Sequence, residues 1–373
     1  MQDSNGGSVM GAMDDLIGPE VVERLAASIR TAGPGELPAL AAVSGSLDGL
    51  RLRQRVDLVR DALLSDLPAG FPAVESLVLD LVEQPLLEGW MIWPVTELVT
   101  ARALESGSAE DFDAALALLA RLTVGLTGEF AIRDLLIARP ERALAVMLAW
   151  TDHENEHVRR LATEGSRAFL PWAKRVPWLL AHPRATRGIL DASYRDESEY
   201  VRRSTANHLN DLSRVDPEIV IETAADWSAH PDANTQRVVR HALRTLLKKG
   251  RPAALVLAGF DGGLLRVGRP RLSVDAVPWG GSVGISAEIV NEGGTEATVV
   301  IDYSIGFQRA DGSVRHKTFR LTTRRLAAGE SATVTRTHSF REITTRRHYP
   351  GAHSVTVQAN GVVSTPVDFV LER

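Results

Sequence analysis

"VRRSTANHLNDLSRV", residues 201–215, is the stretch on which the fold turns. Val201, Thr205, Leu209 and Leu212 recur at helical spacing, while Arg203, Asn207, Asn210 and Asp211 fall on another face of the same predicted helix. The pattern has relatives within the chain: "VRRLATEGSRAFLPW" begins 43 residues earlier at Val158, and "VVRHALRTLLKKG" begins 37 residues later at Val238. Spacings near 40 with two helices per unit are those of HEAT-like repeats, in which a helix pair buries its apolar face only by stacking on its neighbours. The matching polar stripes are Arg160, Glu164 and Arg167 in the first unit, and Arg237, Arg240, Arg244 and Lys248 in the third. Two readings of these stripes stay open. They could share one concave surface, or they could be solvated faces joined by ion pairs.

Outward from the repeats, the helical period holds from Met13 to about Gly259, in stretches such as "SLVLDLVEQPLLEGW", "DFDAALALLARLTVGLT" and "PERALAVMLAW", separated by short Gly, Pro, Asp or Asn breaks. Beyond Gly262-Gly263 the period becomes 2. "RLSVDAV", "SVGISAEIVNEGG", "ATVVIDYSIGFQ", "ATVTRTHSF" and "HSVTVQANG" alternate apolar and polar residues and are rich in Val, Ile and Thr. About seven short strands suggest an immunoglobulin-like sandwich without the Cys and Trp hallmarks of antibody domains. The expected architecture is therefore multidomain: a disordered tail over 1–12, an all-α HEAT-like repeat superhelix over 13–262, and a small all-β immunoglobulin-like sandwich over 264–373.

The chain has 373 residues, 44% of them hydrophobic and 24% charged, so it can bury real cores. It lacks cysteine, which excludes disulfides, thiolate nucleophiles, Cys-based zinc sites and iron–sulfur clusters and fits a reducing compartment. There is no apolar run of spanning length, and the polar, acidic start is unlike a signal peptide, so a cytoplasmic location is expected. Net charge is −5, but from Leu264 onward the chain carries 14 Lys and Arg against 10 Asp and Glu, so the acidity lies in the helical part. In "QRADGSVRHKTFRLTTRR", Arg309, Arg315, Lys317, Arg320, Arg324 and Arg325 gather on one hairpin, either to hold phosphates or to guard a sheet edge. Other motifs carry no chemistry. "HPD" at His230 falls in a Pro-containing loop, "GGLLRVGRP" lacks the Lys-Ser/Thr of a phosphate loop, and His208 lies beside the apolar stripe as a packed or capping imidazole. No His, Asp and Glu set has credible metal spacing, so neither metal nor cofactor is expected.

Three segments taken together resemble the AlkC family of bacterial DNA glycosylases, relatives of the AlkD HEAT-repeat glycosylases. They are "GEFAIRDLL" from Gly128, "VRRLATEGSRAFLPWA" from Val158 and "YVRRSTANHLNDLSRVDPE" from Tyr200, followed by "RHALRTLLKKG" from Arg240. The resemblance covers most of the helical part, and some members of that family carry an immunoglobulin-like C-terminal domain. The chain departs from the family pattern at Asp134, where Pro is usual, and at Ala168 and Phe169, where Pro and Arg are usual. The resemblance implies excision of cationic alkylated bases from double-stranded DNA, 3-methyladenine above all and 3-methylcytosine as a further candidate, by a monomer that does not flip the base. It implies Asp211 as the catalytic carboxylate with Glu164 and Glu129 nearby, and Trp172 as an aromatic packed on the DNA backbone at the lesion. Arg160, Arg167 and Arg203 are then phosphate contacts, together with Arg240, Arg244 and Lys248 of the third stripe. From the residues alone, Trp172 reads first as a core side chain closing a helix at Pro171. A DNA binder without catalysis and a protein-binding scaffold are the competing functions, which the salt dependence of DNA affinity would separate.

Overall fold

The computed structural model describes residues 13–33, 35–260, 264–342 and 347–373; the expected tail and the Gly262-Gly263 break between the expected domains lie outside them. By contacts the chain forms two compact units, Met1–Val215 and Asp216–Arg373, whereas the change from helix to strand falls later, between Leu257 and Leu265.

The first unit is helical. Its sequence marks the helix starts: proline occupies the first turn of the helices Pro19–Ala32, Pro38–Val43, Phe71–Glu83, Pro140–Ala149 and Pro177–Ala181, where a missing N–H costs nothing. Ser108, Asn155 and Ser198 cap three others through their side-chain oxygens. One apolar core runs through the unit from Ile17 to Ile189 and includes the fully buried Leu63, Leu119, Leu136 and Leu161. Truncating any of these to Ala would cost about 2–5 kcal/mol.

The second unit opens with the helices Pro217–Ala229, Thr235–Ala242, Arg244–Lys248 and Pro252–Leu257. Ten strands follow among the described residues: β1 (Leu265–Val267), β2 (Arg271–Leu272), β3 (Ala276–Val277), β4 (Ser282–Asn291), β5 (Ala297–Gln308), β6 (Val314–Leu326), β7 (Ser331–Ser339), β8 (Gly351–Ala359), β9 (Val362–Val363) and β10 (Val367–Leu371). One sheet pairs β4 with β1, β2 and β7; the other runs β3-β10-β8-β5-β6, with β9 on β8. All pairs are antiparallel except β3 with β10. Ile285 and Ile289 from the first sheet share a core with Ile301, Ile305, Val355 and Val357 from the second. The expected strand "RLSVDAV" is in fact broken: its first half joins one sheet as β2 and its second half the other as β3. Alternation alone cannot show such a switch, because both halves keep the same period.

The helices of this unit meet the strands backbone to backbone. Gly250 (φ +66°) and Gly361 (φ +88°) both sit in the left-handed region, and a Cβ on Gly250 would lie 2.7 Å from the Gly361 Cα. This contact joins the helices of the unit to its strands.

Candidate active site

The two "VRR" segments make matching hydrogen bonds. Arg159, second residue of the first "VRR", donates from Nη1 to the carbonyls of His153 and Glu154 at 3.0 and 2.8 Å. Arg202, its counterpart, donates to the carbonyls of Asp196 and Glu197 at 2.5 and 2.8 Å. In both units, then, a buried arginine ties the helix to the loop that leads into it. The helices Glu156–Gly165 and Glu199–Leu212 are each held to their entry loop in this way, and they pack on each other: Thr163 Oγ1 donates to Ser204 Oγ at 2.7 Å.

Along this seam the acidic candidates come together. Arg160 Nη1 donates to Glu129 Oε2 at 2.5 Å, and its Nη2 lies 3.5 Å from Glu164 Oε1. Arg167 donates to Glu164 Oε1 at 2.5 Å and from Nε to Asp211 Oδ2 at 2.9 Å. The order is thus Glu129, Arg160, Glu164, Arg167, Asp211, with charges alternating and Glu164, Arg167 and Asp211 buried. Ser204 Oγ donates to the other Glu164 oxygen at 2.6 Å, and Thr127 Oγ1 donates to Glu129 at 2.9 Å. Burial pulls the Arg167 guanidinium down, but the Asp211 hydrogen bond and the Glu164 and Asp211 charges outweigh it and hold the group above its ordinary value. Like charges are kept close here because a cation stands between each pair.

The basic candidates fall into four settings. Arg167 is turned inward and organises the carboxylates, so it is not a cation presented to solvent. Arg160 is part-buried, with its guanidinium 5.0 Å from the centre of the Tyr200 ring, whose edge meets His157. Arg203 has 62% of its side chain exposed and carries a single-turn ion pair to Glu199 at 3.2 Å. Arg240, Arg244 and Lys248 belong to the second unit. There Arg240 donates to the Ala258 carbonyl at 2.8 Å and lies over Phe260, Arg244 donates to the His241 carbonyl at 2.7 Å, and Lys248 is exposed.

Trp172 is not a core residue. It is 82% exposed and stands in left-handed backbone (φ 61°) in the loop that follows Gly165. His208 is the packed imidazole expected: it is fully buried, with Nδ1 2.9 Å from the Thr163 carbonyl and Nε2 3.0 Å from Thr186 Oγ1. A carbonyl only accepts, so Nδ1 donates and Nε2 takes the Thr186 proton. Burial pushes the ring's pKa down to about 3.

Sequence reasoning passed over Arg133, Ser204, Thr127 and Tyr200. Arg133 carried the clearest signal, as an arginine set among Ile132, Leu135 and Leu136, all fully buried in the structure like Arg133 itself. It donates to three backbone carbonyls, from Nη1 to Gly165 and Arg167 at 2.8 and 2.6 Å and from Nε to Lys174 at 3.1 Å. Burial, followed by repulsion from Arg175 and Arg167, lowers its pKa to about 10, which leaves it charged near neutral pH.

Against known families, residues 49–246 match the model described as "DNA alkylation repair enzyme". The chain belongs to the DNA alkylation repair enzyme family. Residues 266–373 match a second model, "Uncharacterised protein YhaZ, C-terminal Ig-like domain", so the β-rich part of this family member is immunoglobulin-like. The Bacillus subtilis protein YhaZ is 35% identical over 322 residues, covering 86% of this chain and 87% of its own. Among solved structures, the Pseudomonas fluorescens alkylpurine DNA glycosylase AlkC, bound to DNA containing an abasic site analog, is 31% identical with a TM-score of 0.84, covering 97% of this chain and 99% of AlkC. A helical AlkC-like fold followed by an immunoglobulin-like β domain is therefore the architecture of this member of the family.

Proposed function

We propose that the protein is a DNA glycosylase of base excision repair that hydrolyses the N-glycosidic bond of cationic alkylated bases in duplex DNA, 3-methyladenine first and 3-methylcytosine as a second candidate, without flipping the base. The observation that carries this reading is the alternating array Glu129, Arg160, Glu164, Arg167, Asp211, which gathers three carboxylates from a loop and two helices. An N3-alkylated base leaves readily because it already bears positive charge. What the reaction needs is stabilisation of an oxocarbenium-like sugar and a placed water, and fixed carboxylates supply both. Asp211 takes the central role, held in direction by Arg167, while Glu164, fixed by Ser204 and both arginines, and Glu129 complete the negative field. Preorganisation matters because the site then pays no reorganisation cost as charge develops.

Trp172, already outside the core, packs on the DNA backbone at the damaged nucleotide in this reading. Arg160 and Arg203 hold phosphates, with Arg240, Arg244 and Lys248 as the basic set of the second unit. Arg167 serves as the clamp between Glu164 and Asp211, a role its burial favours over a phosphate contact. The equivalent bonds of Arg159 and Arg202 support reading the helices as HEAT-like repeats. The AlkC relative was solved on DNA with an abasic-site analog, which mimics what glycosidic cleavage leaves behind.

The test is base release from methylated duplex DNA by the wild-type chain and by Asp211→Asn, with DNA binding measured on both. The substitution should cut release by on the order of 10²–10³, in line with loss of a preorganised electrostatic group, and leave DNA affinity nearly unchanged. Release that survives in Asp211→Asn would remove Asp211 from the chemical step. A wild type that binds DNA and releases nothing would make the protein a binder.

A further inference from the structure

We propose that Arg133, assisted by Asp134, is the positioning residue that holds Trp172 outward on its loop. The inference rests on the proposed role of Trp172 at the damaged nucleotide. An aromatic side chain 82% exposed gains little from its own packing, and its left-handed backbone is one that L residues avoid, so the surroundings must impose it. One guanidinium holds both ends of the loop. Arg133 takes the carbonyls of Gly165 and Arg167 on the upstream side of Trp172 and that of Lys174 on the downstream side, drawing both ends of the loop to a single point. Its neighbour Asp134 holds the Lys174 ammonium with both carboxylate oxygens at 2.8 Å. A second brace lies inside the loop, where Arg175 donates to the Leu170 carbonyl at 2.9 Å. The guanidinium groups of Arg175 and Arg214 each lie over the Phe169 ring, at 5.1 and 5.0 Å. At the upstream end, a Cβ on Gly165 would lie 2.8 Å from Ile132 Cγ2, so the loop leaves its helix pressed against the helix that bears Arg133.

A buried arginine is a costly way to fill a core position, since its charge must be desolvated and Leu or Met would pack there more cheaply. What a single apolar side chain lacks is a rigid fork that grips carbonyls on two sides of a loop. Asp134, where the family pattern has proline, adds the side-chain half of the grip in this chain.

The experiment compares Arg133→Lys, Asp134→Ala, Trp172→Ala and the double variant Arg133→Lys/Trp172→Ala. The readouts are affinity for a duplex with an abasic-site analog against an intact duplex, and amide exchange over residues 166–175. Lysine keeps the charge but not the fork, so Arg133→Lys should speed exchange in the loop and reduce discrimination between the two duplexes by on the order of tenfold. Trp172→Ala should lose as much, and the double variant should be no worse than Trp172→Ala alone, because both changes act on the same contact. Should Arg133→Lys fail to fold, Asp134→Ala, at a half-buried position, decides, with a loss of about threefold expected at unchanged melting temperature. If Trp172→Ala loses discrimination while Arg133→Lys and Asp134→Ala keep it, or if the losses add in the double variant, the positioning role is overturned. If Trp172→Ala itself changes nothing, the proposed role of Trp172 falls and this inference with it.

Discussion

Trp172 shows how a single residue can be placed against its own preference. In left-handed backbone a non-glycine residue costs about 1–2 kcal/mol, and because the side chain is exposed its removal sacrifices little packing. Trp172→Gly should therefore be more stable than Trp172→Ala by about 1 kcal/mol, read from denaturant melts of the two variants. Equal stabilities would mean that the loop relaxes out of the left-handed conformation once the indole is gone. Arg167 shows a different limit of sequence reading. Periodicity put it on the polar stripe with Arg160 and Glu164, and all three do meet, but period says which face a residue occupies and not whether its charge turns toward solvent or toward a carboxylate from another helix.

At the level of elements, His208 joins three of them: its own helix Glu199–Leu212, the Thr163 carbonyl of the helix Glu156–Gly165, and Thr186 at the start of the helix Arg187–Ser193. The ring stays neutral in the fold down to a pH of about 3, whereas in the unfolded chain it protonates near 6.5. Above pH 6.5 both states are neutral and its full stabilisation is present. As pH falls below 6.5 the unfolded chain alone takes up the proton, so stability is lost at up to about 1.4 kcal/mol per pH unit, or about 2 kcal/mol by pH 5. Urea melts at pH 7 and pH 5 should show that much smaller an acid loss in His208→Gln than in the wild type; parallel losses would refute the neutral, buried ring. The helices Glu156–Gly165 and Glu199–Leu212 themselves were legible, because apolar spacing survives any rotamer choice. The Arg133 grip was not, since its partners are carbonyls, which every residue has and no sequence displays. The division of "RLSVDAV" between two sheets was hidden for a related reason, as pairing partners lie far along the chain.

In the molecule as a whole, the change of period near Gly262 marks where secondary structure changes and not where packing divides. The helices between Pro217 and Leu257 belong with the strands, fastened where Gly250 and Gly361 touch. A chain ending at residue 263 should therefore lose amide protection across 217–257 while residues up to Val215 keep theirs. Protection retained in that segment would show that it folds without the strands. The touching glycines also bear on how such proteins can diverge. Neither position accepts a side chain without moving the other, so the two segments have to be inherited together. A chimera that borrows its immunoglobulin-like part from a relative would then need its crossover near Asp216, with the four helices travelling as part of the cassette, and a junction placed at the first strand would join two surfaces that never evolved as partners.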